Sequence, residues 1–146
     1  RWLLLSLIIL IWVNDAAAYI VGRLMAKRPG GNHKMFPRVS PAKSWEGLIG
    51  GFIFDLIAGY VFYSLGWTST LGLTAYPLLD SLLFALVVGV FATLGDLMES
   101  LLKRTIGVKD SGKFMPGHGG VLDRFDSLLL AVPVVYFLFV YLPSIL

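Results

Sequence analysis

The chain has no cysteine, which excludes disulfide frameworks and thiolate metal centres and leaves the redox compartment open. Charge is also scarce. Asp, Glu, Lys and Arg make up 14% of the 146 residues, against about 25% in a typical soluble domain, while 57% of the residues are hydrophobic. That balance excludes a soluble globule and places the chain in the membrane class. No soluble domain, internal repeat or low-complexity tract is present, and no nucleic-acid partner is expected. The chain does not start with methionine, a basic n-region or a small-residue cleavage site, since an apolar run begins directly after Arg1. It reads as one membrane-embedded region, the C-terminal portion of a longer polytopic protein.

What the chain does have is four apolar spans, about Trp2 to Val21, Leu48 to Trp67, Tyr76 to Leu102 and Leu122 to Leu146. Each approaches or exceeds the roughly 20 residues that cross a bilayer as a helix. The expected fold is an all-α integral membrane protein of about four transmembrane helices with two basic cytoplasmic loops. The first loop, Gly22 to Gly47, carries Arg23, Lys27, Arg28, Lys34, Arg38 and Lys43, and the third carries Lys103, Arg104, Lys109 and Lys113. The middle loop, Thr68 to Ala75, has no charge. With Arg124, eleven of the twelve basic residues share a side, and the positive-inside rule makes that side cytoplasmic. Both termini then face outward, as an even number of spans requires. Pro29, Gly30, Gly31, Pro37 and Pro41 break any helix across the first loop, and Ser44 with Glu46 forms an N-terminal signal for the second span. Asp80 is expected at the headgroups, and Asp55 reads as a helix-packing residue.

One stretch, Gly95 to Asp126, holds five of the nine acids and five of the twelve bases. Ionisable groups in or beside spanning segments cost roughly 2.5–3.5 kcal/mol each on insertion scales, so such density asks for a function. By helical rise, Asp15 lies about 12 Å outward of Arg23 and Asp96 about 10 Å outward of Lys103, which gives the two acids similar depth. Asp96 with Glu99 and Ser100, and Asp123 with Asp126, are spaced to project from one helical face each. Two such faces could converge. Oxygen donors without cysteine suit Mg²⁺ or another hard cation, and the surrounding Lys and Arg suit phosphate oxygens. A metal between acids, ringed by bases at the inner leaflet, reads as phosphoryl or nucleotidyl transfer on a lipid.

These residues resemble the phosphatidate cytidylyltransferase family, also called CDP-diacylglycerol synthases. The resemblance rests on Ser100, Lys103, Arg104, Lys109, Asp110, Gly112, Pro116, His118, Gly119, Gly120, Asp123, Arg124 and Asp126 in uninterrupted spacing. Three further stretches look like the family's: Asn14, Asp15, Ala18, Tyr19 and Gly22; Ser40, Pro41, Lys43, Ser44, Glu46 and Gly47; and Gly95, Asp96, Glu99 and Ser100. Ala16 departs from the family's hydroxyl residue after Asn-Asp, and the family has further spans before this region. The resemblance implies conversion of CTP and phosphatidate to CDP-diacylglycerol and pyrophosphate with Mg²⁺, with room for a second cation. It also implies a homodimer whose site faces the cytoplasm at the inner leaflet, in a prokaryotic inner membrane.

Within that reading Asp96, Asp123 and Asp126 form the metal cluster, with Asn14, Asp15, Glu99 and Asp110 in support. Lys43, Lys103, Arg104, Lys109 and Arg124 neutralise the triphosphate and lipid phosphate. Ser44, His118, Gly119 and Gly120 complete the substrate contacts. Plainer roles stand beside these: helix capping for Asp123 and Asp126, a protonated or ion-paired carboxyl for Asp96, turn packing for His118, backbone anchoring for Asp110, and topology alone for Lys27, Arg28 and Lys34. Two other functions fit the same composition, a cation-coupled transporter and a non-catalytic membrane fragment.

Overall fold

A computed structural model of the chain describes residues 2–107 and 122–145, with the backbone alone for 122–126. Helix α1 spans Trp2–Ala26 and is followed by an antiparallel hairpin of two short strands, β1 (Lys34–Phe36) and β2 (Ser40–Ser44). Helices α2 (Trp45–Ser64), α3 (Pro77–Thr105) and α4 (Leu122–Tyr136) complete the bundle. Four helical stretches, Trp2–Ala26, Trp45–Ser64, Pro77–Thr105 and Ser127–Ser144, are long and apolar enough to cross a bilayer. The protein is an all-α integral membrane protein, with the hairpin as its small addition.

Local chemistry sets the helix ends. Ser44 caps α2 with an extended backbone, its hydroxyl oxygen accepting from the Gly47 amide at 3.2 Å, which starts the helix three residues before the apolar run. Pro77 occupies the first turn of α3, where its missing N–H costs nothing. Inside α4, Pro133 cannot donate to the carbonyl one turn back, and within a turn the helix widens into a π segment, Phe137–Tyr141.

Packing follows small residues, as lipid gives apolar side chains no reason to prefer each other over acyl chains. On α2, Gly47, Gly51, Asp55 and Gly59 recur every fourth residue and all are buried. A Cβ on Gly47 would stand 2.6 Å from the Ala18 carbonyl oxygen, and one on Gly59 would stand 2.8 Å from the Ala85 Cβ. Helix α3 therefore runs through the middle of the bundle, with Phe84, Ala85, Val88 and Ala92 at 0% exposure. Its Phe84 meets Phe139 edge-on at 5.6 Å. In α4 and its continuation, Ala131, Val135 and Phe139 turn inward, while Leu129, Tyr136 and Phe137 face out. At the end away from the hairpin, Trp2 and Phe62 stack on Trp67. There Ser81 donates to the Gly59 carbonyl at 2.7 Å.

Two expectations change. Asp80 is not solvated at the headgroups but 1% exposed, its carboxylate accepting from the Thr74 amide at 2.9 Å and so tying down the uncharged loop. The first loop is shorter than expected, because α1 runs on to Ala26 and α2 starts at Trp45, and what lies between is ordered into β1 and β2; Asn32 fastens it to α1 by donating to the Gly22 carbonyl at 3.0 Å.

Candidate active site

The hairpin folds back over the bundle because α2 begins where β2 ends. Glu46 in the first turn of α2 accepts from the His33 backbone amide at 3.0 Å and lies 2.6 Å from His33 Nδ1. The Trp45 amide donates to the His33 carbonyl. These contacts close a loop that carries β2 against α1 and α3. Between them lies a cavity of about 290 Å³, whose polar lining includes Asn14, Asp15, Ser40, Lys43, Ser44, Thr93 and Asp96.

Lys43 on β2 forms an ion pair with Asp96 on α3, and Asp15 on α1 lies within electrostatic reach of both. Two acids and a lysine from three separate elements thus share one pocket. Their similar depth along α1 and α3 is what lets them meet. Ser44 lines the same wall, but its oxygen is engaged in the helix cap. Ser44, Gly47 and Leu48 border the cavity, which puts the first turn of α2, the positive end of its dipole, beside it. This combination can bind a polyanion through Lys43 and the helix end while its carboxylates hold a cation or position a donor.

Glu99 behaves differently. Three residues along α3 from Asp96, it is rotated by about 60° around the helix axis, so the two acids open on different surfaces. Glu99 is 7% exposed and pairs with Lys103 at 2.6 Å. It borders a second, largely apolar cavity of about 480 Å³ lined by Gly95, Met98, Leu101, Leu102, Leu129 and Leu130 among others. Arg104 extends from the end of α3 toward the hairpin, its Nε 3.5 Å from the Val39 carbonyl oxygen.

Of the remaining expected site residues, Lys109, Asp110, His118, Gly119 and Gly120 lie outside the described residues. Asp123, Arg124 and Asp126 fall in the first turns of α4, where the backbone alone is described, so their convergence with Asp96 also lies outside. Among the described residues no group of three or more His, Cys, Asp or Glu is placed to hold a metal. The donor chemistry of the cavity nevertheless fits Mg²⁺, which commonly takes one or two carboxylates and fills its other positions with water and phosphate oxygens. Asp15 and Asp96 are two such carboxylates on one cavity, which has no thiolate and whose one sulfur is the Met35 thioether, a weak ligand for a hard cation.

Sequence reasoning passed over one residue connected to this site. Asp55 is fully buried and accepts from Asn14 Nδ2 at 2.5 Å. Its signal is its place in the every-fourth-residue stripe of glycines on α2, where an acid instead of a small residue points into the helix contact.

The chain matches the model of the cytidylyltransferase family over residues 1–142. It is 46% identical over 142 residues to the phosphatidate cytidylyltransferase of Haemophilus influenzae, a match covering 94% of this chain and 46% of that protein. Identity to the phosphatidate cytidylyltransferase of Bacillus subtilis is 43% over 130 residues, covering 89% of this chain and 44% of the relative. The enzyme of the same name from Staphylococcus haemolyticus is 43% identical over 132 residues, covering 90% and 46%. The chain thus spans about half the length of the curated relatives it matches.

Proposed function

This chain belongs to the cytidylyltransferase family, and on that premise we propose that it forms the catalytic region of a membrane nucleotidyltransferase that makes CDP-diacylglycerol and pyrophosphate from CTP and phosphatidate. The observation that carries the proposal is the meeting of Asp15, Lys43 and Asp96 in one cavity within a membrane bundle. An apolar cavity lies on the neighbouring face of α3. A charged headgroup with acyl chains needs both environments side by side.

The phosphate of phosphatidate is already an anionic nucleophile. One of its oxygens attacks the α-phosphorus of CTP, the bond from that phosphorus to the oxygen bridging to the β-phosphorus breaks, and pyrophosphate leaves with the electron pair. No covalent enzyme intermediate is needed, so the protein's work is positioning and charge neutralisation. Lys43 and the N-terminal end of α2 bind and orient the triphosphate. Asp96 holds Lys43 in place before substrate arrives, and Asp15 and Asp96 would hold Mg²⁺. When bound, the ion supplies charge neutralisation on phosphate oxygens. Arg104, which reaches toward the hairpin, adds positive charge for the leaving pyrophosphate, and Lys109 and Arg124 are assigned the same role. The same proposal places the cavity at the cytoplasmic face, supported by the basic loops, and takes the protein as a homodimer, as the family resemblance implies.

A transporter gains no support from the bundle interior. Between the Asn14–Asp55 pair and the Ser81 contact, the apolar Leu10, Phe84 and Val88 are each at 0% exposure, so no continuous polar route runs along the helices among the described residues.

Removing Lys43 tests the triphosphate assignment. A charge-assisted hydrogen bond contributes roughly 1.5–3 kcal/mol, so Lys43→Ala is expected to raise the KM for CTP by about tenfold or more, with Lys43→Arg intermediate. Steady-state kinetics at saturating phosphatidate measure this. An unchanged KM for CTP in Lys43→Ala contradicts the assignment.

A further inference from the structure

Asp55 sits one layer behind the cavity. It is at 0% exposure, and its Oδ2 accepts from Asn14 Nδ2. Its Oδ1 has no hydrogen-bond partner among the described residues. Asn14 is 3% exposed and lines the cavity directly beside Asp15. The amide is closely confined: a Cβ on Gly51 would stand 3.2 Å from Asn14 Nδ2, one on Gly89 would stand 3.1 Å from it, and the latter would also overlap Asp55. Three helices therefore leave room for this pair of side chains and for little else.

An ionised carboxylate only accepts hydrogen bonds, whereas an amide offers nitrogen donors on one side and an acceptor oxygen on the other. One Asn14 N–H is committed to Asp55, which turns the nitrogen side of the amide toward α2 and its carbonyl oxygen to the opposite side. We propose that Asp55 is a positioning residue of the site: it fixes the Asn14 amide so that the carbonyl oxygen faces the cavity, as a neutral third oxygen beside Asp15 and Asp96 for a hard cation. The inference rests on the nucleotidyltransferase reading with its Mg²⁺. It explains why an acid interrupts the glycine stripe of α2 deep in a spanning helix, where an ionisable group is costly. A neutral carbonyl also lets the site gain a ligand without a further repelling charge.

The test reads cation binding separately from turnover, as the Mg²⁺ concentration giving half-maximal thermal stabilisation of the detergent-solubilised protein with CTP present. Outer partners that orient a ligand are worth about 10–100-fold in metal affinity, so Asp55→Asn is expected to raise that midpoint by about tenfold. An amide at position 55 no longer dictates which way Asn14 turns. The exchanged pair, Asn14→Asp with Asp55→Asn, is expected to restore the wild-type midpoint or lower it. Its carboxylate at position 14 accepts from the new amide with one oxygen and keeps the other for the cavity.

A wild-type midpoint in Asp55→Asn, with only the metal-free melting temperature reduced, would mean that the pair merely packs α1 against α2 and would overturn the proposal. If Asp55→Asn does not fold, the exchanged pair decides alone, and a midpoint tenfold above wild type overturns the proposal as well. A wild-type protein that Mg²⁺ fails to stabilise would overturn the cation reading itself, and the assignment of Asp55 with it. That outcome is distinct from a wild-type response that the Asp55 variants leave unaltered.

Discussion

Asp96→Asn is expected to lower CTP-dependent formation of lipid product by about 10³-fold, the upper range for losing one preorganised electrostatic group at a reacting centre. The substitution keeps the shape of the side chain and removes its charge. Three effects then coincide: Lys43 loses its ion-pair partner, Asp15 loses the carboxylate that shares its cavity, and the pocket has one fewer ligand for a hard cation. Stability should change little. The Asp96 side chain is 36% exposed, and ion pairs at such partly hydrated positions contribute about 1 kcal/mol or less. Turnover and melting temperature, measured on the same detergent preparation, therefore separate the catalytic from the structural role. Near-normal turnover in this variant contradicts the site assignment, and a collapse of the melting temperature would recast Asp96 as a structural ion-pair residue.

Gly47→Ala is the second substitution with a large expected effect, and it acts through helix spacing. The added Cβ would stand 2.6 Å from the Ala18 carbonyl oxygen and 3.1 Å from Ser44 Oγ. The first of these is backbone and cannot rotate away, so α1 and α2 must separate next to the cavity. Overpacking of this kind costs about 1–3 kcal/mol, offset by about 1 kcal/mol from the better helix propensity of alanine. The modest net loss of stability understates the consequence. Asp15 rides on α1, and Lys43 lies on β2, which leads directly into α2, so the separation shifts one against the other, and a misplacement of about 1 Å can cost about 10²-fold in rate. Turnover is expected to fall by about that factor. Gly72→Ala serves as the control, since nothing lies within 4 Å of a Cβ there, and it should leave both activity and melting temperature at wild-type values. Equal behaviour of the two variants would show that the close approach of α1 and α2 does not position the site.

Much of this architecture was legible in the residues. Four long apolar runs can satisfy their backbone in lipid only as helices, so the bundle followed from composition and length. The cap at Ser44 could be read because its chemistry is local. The shared depth of Asp15 and Asp96 came from helical rise alone. What the residues could not give was rotation of one helix relative to another. Asp96 and Glu99 look like one face at their spacing, yet they open on different cavities, because the bundle contacts of α3 divide that face. The pairing of Lys43 with Asp96 joins a loop residue to a distant helix and needs the hairpin, whose strands are too short for a period-two pattern. Pro41 inside β2 has no N–H to give to a ladder, which further weakens any strand signal there. Asp80 was misplaced because an acid near a span end is usually solvated, whereas here it is buried and accepts from the Thr74 amide of the preceding loop.

Nucleotidyl transfer to a lipid phosphate is distinguished from any other use of CTP by which phosphate reaches the lipid. CTP labelled at the α-phosphate, and separately at the γ-phosphate, is incubated with phosphatidate, Mg²⁺ and the protein in detergent micelles. The α-label is expected in the organic phase as CDP-diacylglycerol, and the γ-label in the aqueous phase as pyrophosphate. Transfer of γ-label to lipid, or release of α-label only as water-soluble nucleotide while phosphatidate is left unchanged, would contradict it.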